Sequence, residues 1–311
     1  MGKTKVYCII VTYNAMKWVD KCLGSLREST IPIHPVIIDN SSSDETVEYI
    51  STNYPEVHII INDINRGFGQ ANNQGIEYAY KQGATHFFLL NQDAWVDKES
   101  IKKLTEIQDK YNISLVSPIH FNGQGNLLDY NYFIKVIIDE MNREYISDLI
   151  LEKIKPFYKV FKINAAAWML SRETIEQIGG FDPIYFHYGE DGNYCQRIKY
   201  HKGEVAFVPG SYIYHDRERQ GNMKVFKKNV TLMMLLFLYS DVNNSIWKID
   251  RKRIIVHLGN AKLALSFLFR LKFKELTNLC SSYLTFFVKL PKIVHSMKFN
   301  KQIGPTWLNL D

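Results

Sequence analysis

Cysteine is scarce: 4 in 311 residues. Cys8, Cys22, Cys195 and Cys280 are scattered, with no Cys-x-x-Cys pair, which argues against a thiolate zinc site or a disulfide framework and fits a reducing cytoplasm. Long apolar runs are absent too. Val6–Val11, after the basic start, is too short for the h-region of a signal peptide. No segment reaches the ~18 to 20 uninterrupted apolar residues of a bilayer-spanning helix. There is no internal repeat and no low-complexity tract, so neither a solenoid nor a disordered array is expected.

What is present is an apolar content ample for a core in one large or two modest domains. The net charge of +6 hides an asymmetry. Arg217 to Asp311 holds 17 Lys+Arg against 5 Asp+Glu, a net +12; taken from the totals of 38 and 32, this leaves 21 against 27, or −6, for the rest. The two parts therefore do different work. The basic part reads as helices over Val230–Tyr239, Ile254–Leu271 and Tyr283–Val294, either lying on an anionic membrane surface through residues such as Arg251, Lys252 and Arg253, or packing as a helical subdomain or homodimer element. No nucleic-acid partner is expected.

The first hundred residues alternate strand-like runs (Val6–Val11, Pro35–Asp39, Val57–Ile61, Thr85–Leu90) with helical stretches (Met16–Arg27, Asp44–Asn53, Gln70–Gln82). Short Val- and Ile-rich runs separated by crossover-length segments predict right-handed βαβ units and a parallel sheet. Ser43-Asp44 is the expected cap of the second helix, with Glu45 in its first turn. From Glu99 to about Ile154 the pattern loses its period. An apolar stretch at Ile163–Leu170, the breaker Gly179-Gly180 and a strand-like Gly210–Tyr214 follow.

Chemistry-bearing residues cluster at the ends of the predicted strands, where open α/β sheets bind ligands. The ends are Thr12-Tyr13-Asn14, Asp39 to Asp44, Asn65-Arg66-Gly67-Phe68-Gly69 leading to Asn72 and Asn73, and Asn91-Gln92-Asp93. A dinucleotide fingerprint is not met, because its third glycine would fall at Asn72. Asp93 can share a hard divalent cation with substrate phosphates, or it can simply close an Asx-turn. Tyr13 offers a face for a base, and Asp39 an acceptor for the N3–H of uracil or thymine. About a hundred residues beyond Asp93 stands a second acidic point, Gly189-Glu190-Asp191.

This ordered set, over roughly Lys5 to Asp216, resembles family 2 glycosyltransferases, inverting enzymes of GT-A fold. The resemblance implies an α/β architecture with a mostly parallel central sheet flanked by helices. Residues 1–220 would form the transferase domain (nucleotide-binding half 1–98, acceptor-binding half 99–220), followed by a basic helical extension, 221–311. It implies a nucleotide-sugar donor, UDP-linked or dTDP-rhamnose, held by Thr12, Tyr13, Asn14, Asp39, Asn65, Arg66, Gly67, Asn72, Asn91 and Gln92. It also implies Mg²⁺ or Mn²⁺ at Asp93, with His215 as a late ligand. Asp191 becomes the candidate general base and Glu190 its partner or replacement, unless the two acids only begin a helix and face its dipole; Arg217 and Arg219 could close over the diphosphate or equally start the basic tail. Asn91 departs from the family's usual Asp-x-Asp, which puts two-carboxylate binding in question. The acceptor implied is a glycan or lipid-linked glycan, reached from the cytoplasmic side, peripherally at the inner face of the membrane. Two other classes stand beside this one: a non-catalytic nucleotide-sugar or membrane-associated binding protein, and a nucleotidyltransferase, which should carry a glycine-rich basic loop where Val11-Thr12-Tyr13-Asn14 stands.

Overall fold

The computed structural model describes residues 4–138, 142–217, 221–248 and 250–311, without the side chains of 221–229. Two compact units emerge, Met1–Arg217 with Ile303–Asp311, and Glu218–Gln302. The expected C-terminal region 221–311 is therefore not one body, because its last nine residues belong to the first unit. Polar ties hold them there: Gly180 N–H donates to the Thr306 carbonyl at 2.8 Å, Gly304 N–H to Gln177 O at 3.0 Å and Asn309 N–H to Glu77 at 2.8 Å.

The nucleotide half of the first unit runs β1 (Val6–Thr12), α1 (Val19–Arg27), β2 (Ile33–Asp39), α2 (Thr46–Asn53), β3 (His58–Ile61), α3 (Phe68–Lys81) and β4 (His86–Asn91). Its strands pair in parallel, β3-β2-β1-β4. Apolar residues run without polar alternation along β1 and β4 because both faces are covered. Ile9, Phe87 and Leu89 enter one core with Ala71 and Ile76 of α3, while Cys8, Ile10, Phe88 and Leu90 enter the other with Cys22 and Leu23 of α1.

The second half contains β5 (Ala94–Val96), α4 (Ser100–Tyr111), β6 (Leu115–Asn122), α5 (Tyr130–Tyr132) continued by a π-helical turn at Phe133–Ile137, and α6 (Arg143–Ile150). Then come β7 (Tyr158–Lys159), β8 (Ala167–Ser171), α7 (Arg172–Ile178), α8 (Glu190–Tyr200) and β9 (Val205–His215). The sheet continues β4-β8-β6-β9-β5, with β7 beside β9. β6 and β9 are parallel, but β8 runs antiparallel to both β4 and β6, and β5 and β7 run antiparallel to β9. The regular segments α4 and β6 lie where the sequence loses its period. Buried Ser117, Pro118 and His120 interrupt the apolar run of β6, and Ser117 Oγ satisfies itself on the Ala167 carbonyl at 2.7 Å.

The second unit holds α9 (Gly221–Tyr239), α10 (Arg251–Phe269) and α11 (Phe273–Asn300). Among the described residues, no helix is long and apolar enough to cross a membrane. Arg253 is not a surface cation. It is 1% exposed, and its guanidinium donates to the carbonyls of Leu238 (3.0 Å), Ser245 (2.7 Å) and Lys248 (2.5 Å). Its role is to close the α9–α10 connection. His257 bridges the hydroxyls of Tyr239 (2.8 Å) and Tyr283 (2.9 Å), tying the three helices together.

A Cβ on Gly180 would lie 2.6 Å from Leu308 Cδ2 and tighter still on Asn73 Oδ1. Gly180→Ala is therefore expected to destabilise the first unit by about 1–3 kcal/mol, the usual cost of overpacking. A denaturant midpoint equal to the parent's would show that the C-terminal segment yields without cost.

Candidate active site

Four strand ends of the nucleotide half bear on one edge of the sheet. Thr12 Oγ1 donates to Asp39 Oδ1 at 2.9 Å, and Ser42 gives the same carboxylate its hydroxyl (2.5 Å to Oδ1) and its N–H (2.9 Å to Oδ2). Asp39 is 1% exposed and so builds the turn that follows β2, with Oδ2 retaining acceptor capacity. Tyr13 is pinned through its backbone: its N–H donates to Gln92 Oε1 at 2.7 Å and its carbonyl accepts Gln92 Nε2 at 3.2 Å. Asn14, at φ 51°, accepts the Ser43 N–H on its side chain at 2.8 Å. The half-exposed Tyr13 ring thus stands on a fixed main chain.

Asp44 accepts the N–H (3.1 Å) and hydroxyl (2.5 Å) of Thr46, and the helix begins only there, with Glu45 in the cap position. The expected Ser43-Asp44 cap is accordingly a tight turn one step before α2. In the third loop, Asn65 Oδ1 accepts the Gly67 N–H at 2.9 Å, and Arg66 Nε donates to Asn62 at 3.1 Å. Behind them Asn40, Asn62 and Gln74 form an amide network that the sequence pattern did not reveal: Asn62 and Gln74 exchange two bonds of 2.9 Å, and Asn40 Oδ1 accepts the Arg66 N–H at 3.0 Å. α3 opens at Phe68, so Asn72 and Asn73 lie inside it rather than at its start. Asn72 bonds the Phe68 carbonyl of its own helix at 2.9 Å. Asn73 clamps Phe181, accepting its N–H at 2.7 Å and donating to its carbonyl at 2.8 Å.

β5 and β9 pair with Ala94 opposite His215, which brings His215 Nε2 to 3.1 Å from Asp93 Oδ1. Burial works to raise the Asp93 carboxyl, but His215 and then Arg217 outweigh it and hold it below the usual carboxylate range. His215 Nδ1 faces Asp129 Oδ2 at 3.9 Å, and Arg217 Nε lies 3.5 Å from the same oxygen. Asp129 was missed by sequence reasoning. It lies in the stretch without period, and no local signal marked it. Arg219 is outside the described residues. The pair fits a divalent cation: one carboxylate and one imidazole whose far nitrogen faces a second carboxylate, as ligating histidines are commonly oriented. Among the described residues no three His, Cys, Asp or Glu side chains could form a complete cage. Mg²⁺ commonly needs none, taking one or two carboxylates with water and substrate phosphates. Asn91 Oδ1 is buried without a hydrogen-bond partner, leaving an acceptor unused beside Asp93.

The acidic pair opens α8. Tyr188 (φ 68°) and Gly189 (φ 101°) are both left-handed, and the loop before them packs on the donor loop: a Cβ on Gly67 would strike the Phe186 carbonyl. A Cβ on Gly69 would lie 3.9 Å from that of Glu190. Glu190 is 7% exposed with Oε2 unpartnered, and its carboxyl is pushed up to about 7, first by burial and then by Asp191. Asp191 is less buried and accepts the Gly192 N–H at 2.6 Å. The far end of α8 is fixed by Arg197, fully buried, which donates to the carbonyls of Ile178 and Gly180 and to Thr306 Oγ1 at 2.6 Å.

A parallel half-sheet with polar strand ends, joined to a mixed half that presents an acid pair, is the GT-A type of nucleotide-diphospho-sugar transferase. Comparison with known proteins carries this further. The sequence pattern "Glycosyl transferase family 2" matches residues 7–179, and "N-terminal domain of galactosyltransferase" matches 147–219. The chain belongs to glycosyltransferase family 2 and is a glycosyltransferase. It is 26% identical over 215 residues to the dTDP-rhamnosyl transferase RfbF of Shigella flexneri, covering 68% of this chain and 69% of that one. It is 23% identical over 230 residues to the N-acetylglucosaminyl-diphospho-decaprenol L-rhamnosyltransferase of Mycobacterium tuberculosis, covering 67% and 75%. Among solved structures, S. aureus TarS 1-349 in complex with UDP-GlcNAc superposes with a TM-score of 0.63 at 12% identity, over 96% of this chain and 88% of that one. The mannosyltransferase PcManGT of Pyrobaculum calidifontis, in complex with GDP-Man and Mn²⁺, gives 0.55 at 14%, over 94% and 79%. At such identities these two show the fold alone.

Glu190 yields a pH prediction. Its folded value lies above the ordinary glutamate value, so the folded state holds the extra proton and stability declines as pH rises through about 7. Glu190→Gln removes that proton uptake, so its melting temperature should fall less than the parent's between pH 5 and pH 8. Parallel melting curves across this range would show that Glu190 is not strained.

Proposed function

We propose that this enzyme transfers a sugar from a pyrimidine nucleotide donor, dTDP-rhamnose or a UDP-sugar, to a hydroxyl of a glycan or lipid-linked glycan acceptor, with inversion. The observation that carries the proposal is the juxtaposition of the acid pair opening α8 with the donor loop at Gly67 and Gly69, on the sheet edge that also bears Asp93 and His215. Tyr13 and the Asp39 turn supply a stacking face and an acceptor suited to a base with an N3–H. Arg66 lies exposed near that turn as a counter-charge for phosphate. The RfbF and mycobacterial relatives, named as rhamnosyltransferases, support rhamnose as the sugar; cell-surface polysaccharide synthesis is the setting we infer. A cytoplasmic enzyme held peripherally at the inner membrane face fits a lipid-linked acceptor.

In the reaction, Asp191, the more accessible acid, takes the acceptor's hydroxyl proton as that oxygen bonds to the anomeric carbon. The bond from that carbon to the nucleotide diphosphate breaks on the opposite side, and no covalent enzyme intermediate forms. Glu190, buried beside it, shares the pair's charge and orients the acceptor. Asp93 and His215 would hold Mg²⁺ or Mn²⁺, which supplies positive charge to the departing diphosphate.

Asp191→Asn should lower glycosyl transfer by about 10²- to 10⁴-fold, the usual weight of a general base, while nucleotide binding persists. Should Asp191→Asn keep near-parental transfer while Glu190→Gln is inactive, the base is Glu190. Full activity in both variants would remove the acid pair from catalysis.

UDP or dTDP should raise the melting temperature more with Mn²⁺ than with chelator, because ligand bound only to the folded state stabilises it. Asp93→Ala is expected to abolish the metal-dependent part. A metal effect that survives the substitution would put the ion elsewhere.

A further inference from the structure

The turn joining α10 to α11 carries an alternation that nothing in the transfer chemistry uses. Phe269, Leu271 and Phe273 are 84%, 72% and 57% exposed, and each is followed by an exposed cation, Arg270, Lys272 and Lys274. The chain reverses here through Leu271 at φ 54°, with Lys272 N–H closing on the Phe267 carbonyl at 2.8 Å, so the six residues form the apex of a helical hairpin. Behind the apex, Ile254, Leu258, Leu265 and Leu268 are exposed at spacings that line one helical face of α10. Leu284, Phe287 and Val288 are exposed on α11. No acidic residue occurs from Arg251 to Lys274, while Arg251, Lys252 and Lys262 add further exposed cations.

We propose that this hairpin apex is a docking element for an anionic lipid bilayer, with Phe269, Leu271 and Phe273 entering the headgroup boundary and Arg270, Lys272 and Lys274 meeting the lipid phosphates. Charge selects this occupant over a second copy of the chain. A symmetric pairing of two such tips would set cation against cation at alternate positions, whereas protein interfaces deplete charge at their cores. A bilayer accepts both classes of side chain at the same depth, apolar groups below and cations at the phosphates. Since no described helix can cross a membrane, the contact is interfacial. The inference deepens the lipid-linked acceptor of the proposed function and rests on that reading only for its purpose.

The test is co-sedimentation of the full chain with vesicles of neutral phosphatidylcholine and of phosphatidylcholine mixed with phosphatidylglycerol, at low and high salt. The expected result is capture by the anionic vesicles alone, weakened at high salt because exposed charges are screened. Capture should fall about tenfold or more in the triple variant Phe269→Ser, Leu271→Ser, Phe273→Ser, and likewise in Arg270→Gln, Lys272→Gln, Lys274→Gln. Equal capture by neutral vesicles, or variants that sediment like the parent, would overturn the proposal. So would a concentration-dependent dimer that the apolar variant abolishes in the absence of vesicle binding. The nucleotide-dependent thermal shift should be the same in both variants and the parent. Vesicle capture without any nucleotide shift in the parent would sink the donor reading and leave the docking element standing.

Discussion

The side chain of Asn73 is the point on which the site's geometry turns. One amide, buried in the second turn of α3, satisfies both the N–H and the carbonyl of Phe181. A residue with only one polar function would leave the other buried main-chain group unpaired, at a cost of about 1–3 kcal/mol. The Phe181 ring then packs on Trp168 of β8, Tyr194 of α8 and Phe68 of α3, so the helix behind the donor loop and the helix that starts with the acid pair are referenced to a single peptide. Gly180 admits Leu308 on the other side, and Arg197 gathers the carbonyls around it. The C-terminal segment is thereby part of the catalytic unit's frame, although it arrives by way of α11.

Within that frame two carboxylates are treated in opposite ways. Asp93 is placed against an imidazole and a guanidinium, which keep it ionised despite burial, the state a cation site requires. Glu190 is buried next to another acid with no cation bonded to it, and its proton affinity rises. Opposite shifts in two acids on one sheet edge set a carboxylate kept ionised apart from one that holds its proton more tightly. The geometry produces this division through strand order. β9 brings His215 to Asp93, whereas α8 begins on the side of α3.

The strand ends were legible because each lies next to a pattern that physics makes conspicuous: an apolar run with both faces covered, then a break into polar residues. Thr12, Asp39 and Asp93 follow from that rule alone, whereas the acid pair stands out only by its resemblance to a family motif. What the sequence concealed came from contacts distant along the chain. Asp129 reaches His215 across 86 positions, Asn73 reaches Phe181 across 108, and Thr306 reaches Arg197 across 109. Arg253 misled for a related reason: in a run with Arg251 and Lys252 it reads as surface charge, yet at its helical position it turns inward to four carbonyls. The β6 strand was hidden by Ser117 and His120, polar residues made tolerable inside by hydrogen bonds that no periodicity records.

Three unfavourable features of the first unit lie close to the proposed reaction centre. Tyr188 holds a left-handed backbone with a large side chain, Glu190 is buried with an unpartnered oxygen, and Asn91 buries an unpaired carbonyl, all beside the proposed reaction centre. Each costs on the order of 1–3 kcal/mol. A fold that could relax them locally would do so, by unwinding the first turn of α8 or turning Glu190 to solvent. The collar formed by Asn73, Arg197 and Thr306 opposes that relaxation, because moving the start of α8 would disturb a buried guanidinium and an amide that are both engaged. The stability of the frame is what keeps the acid pair in a conformation it would not hold by itself. A carboxyl whose proton affinity burial raises is therefore held in place by the collar around it.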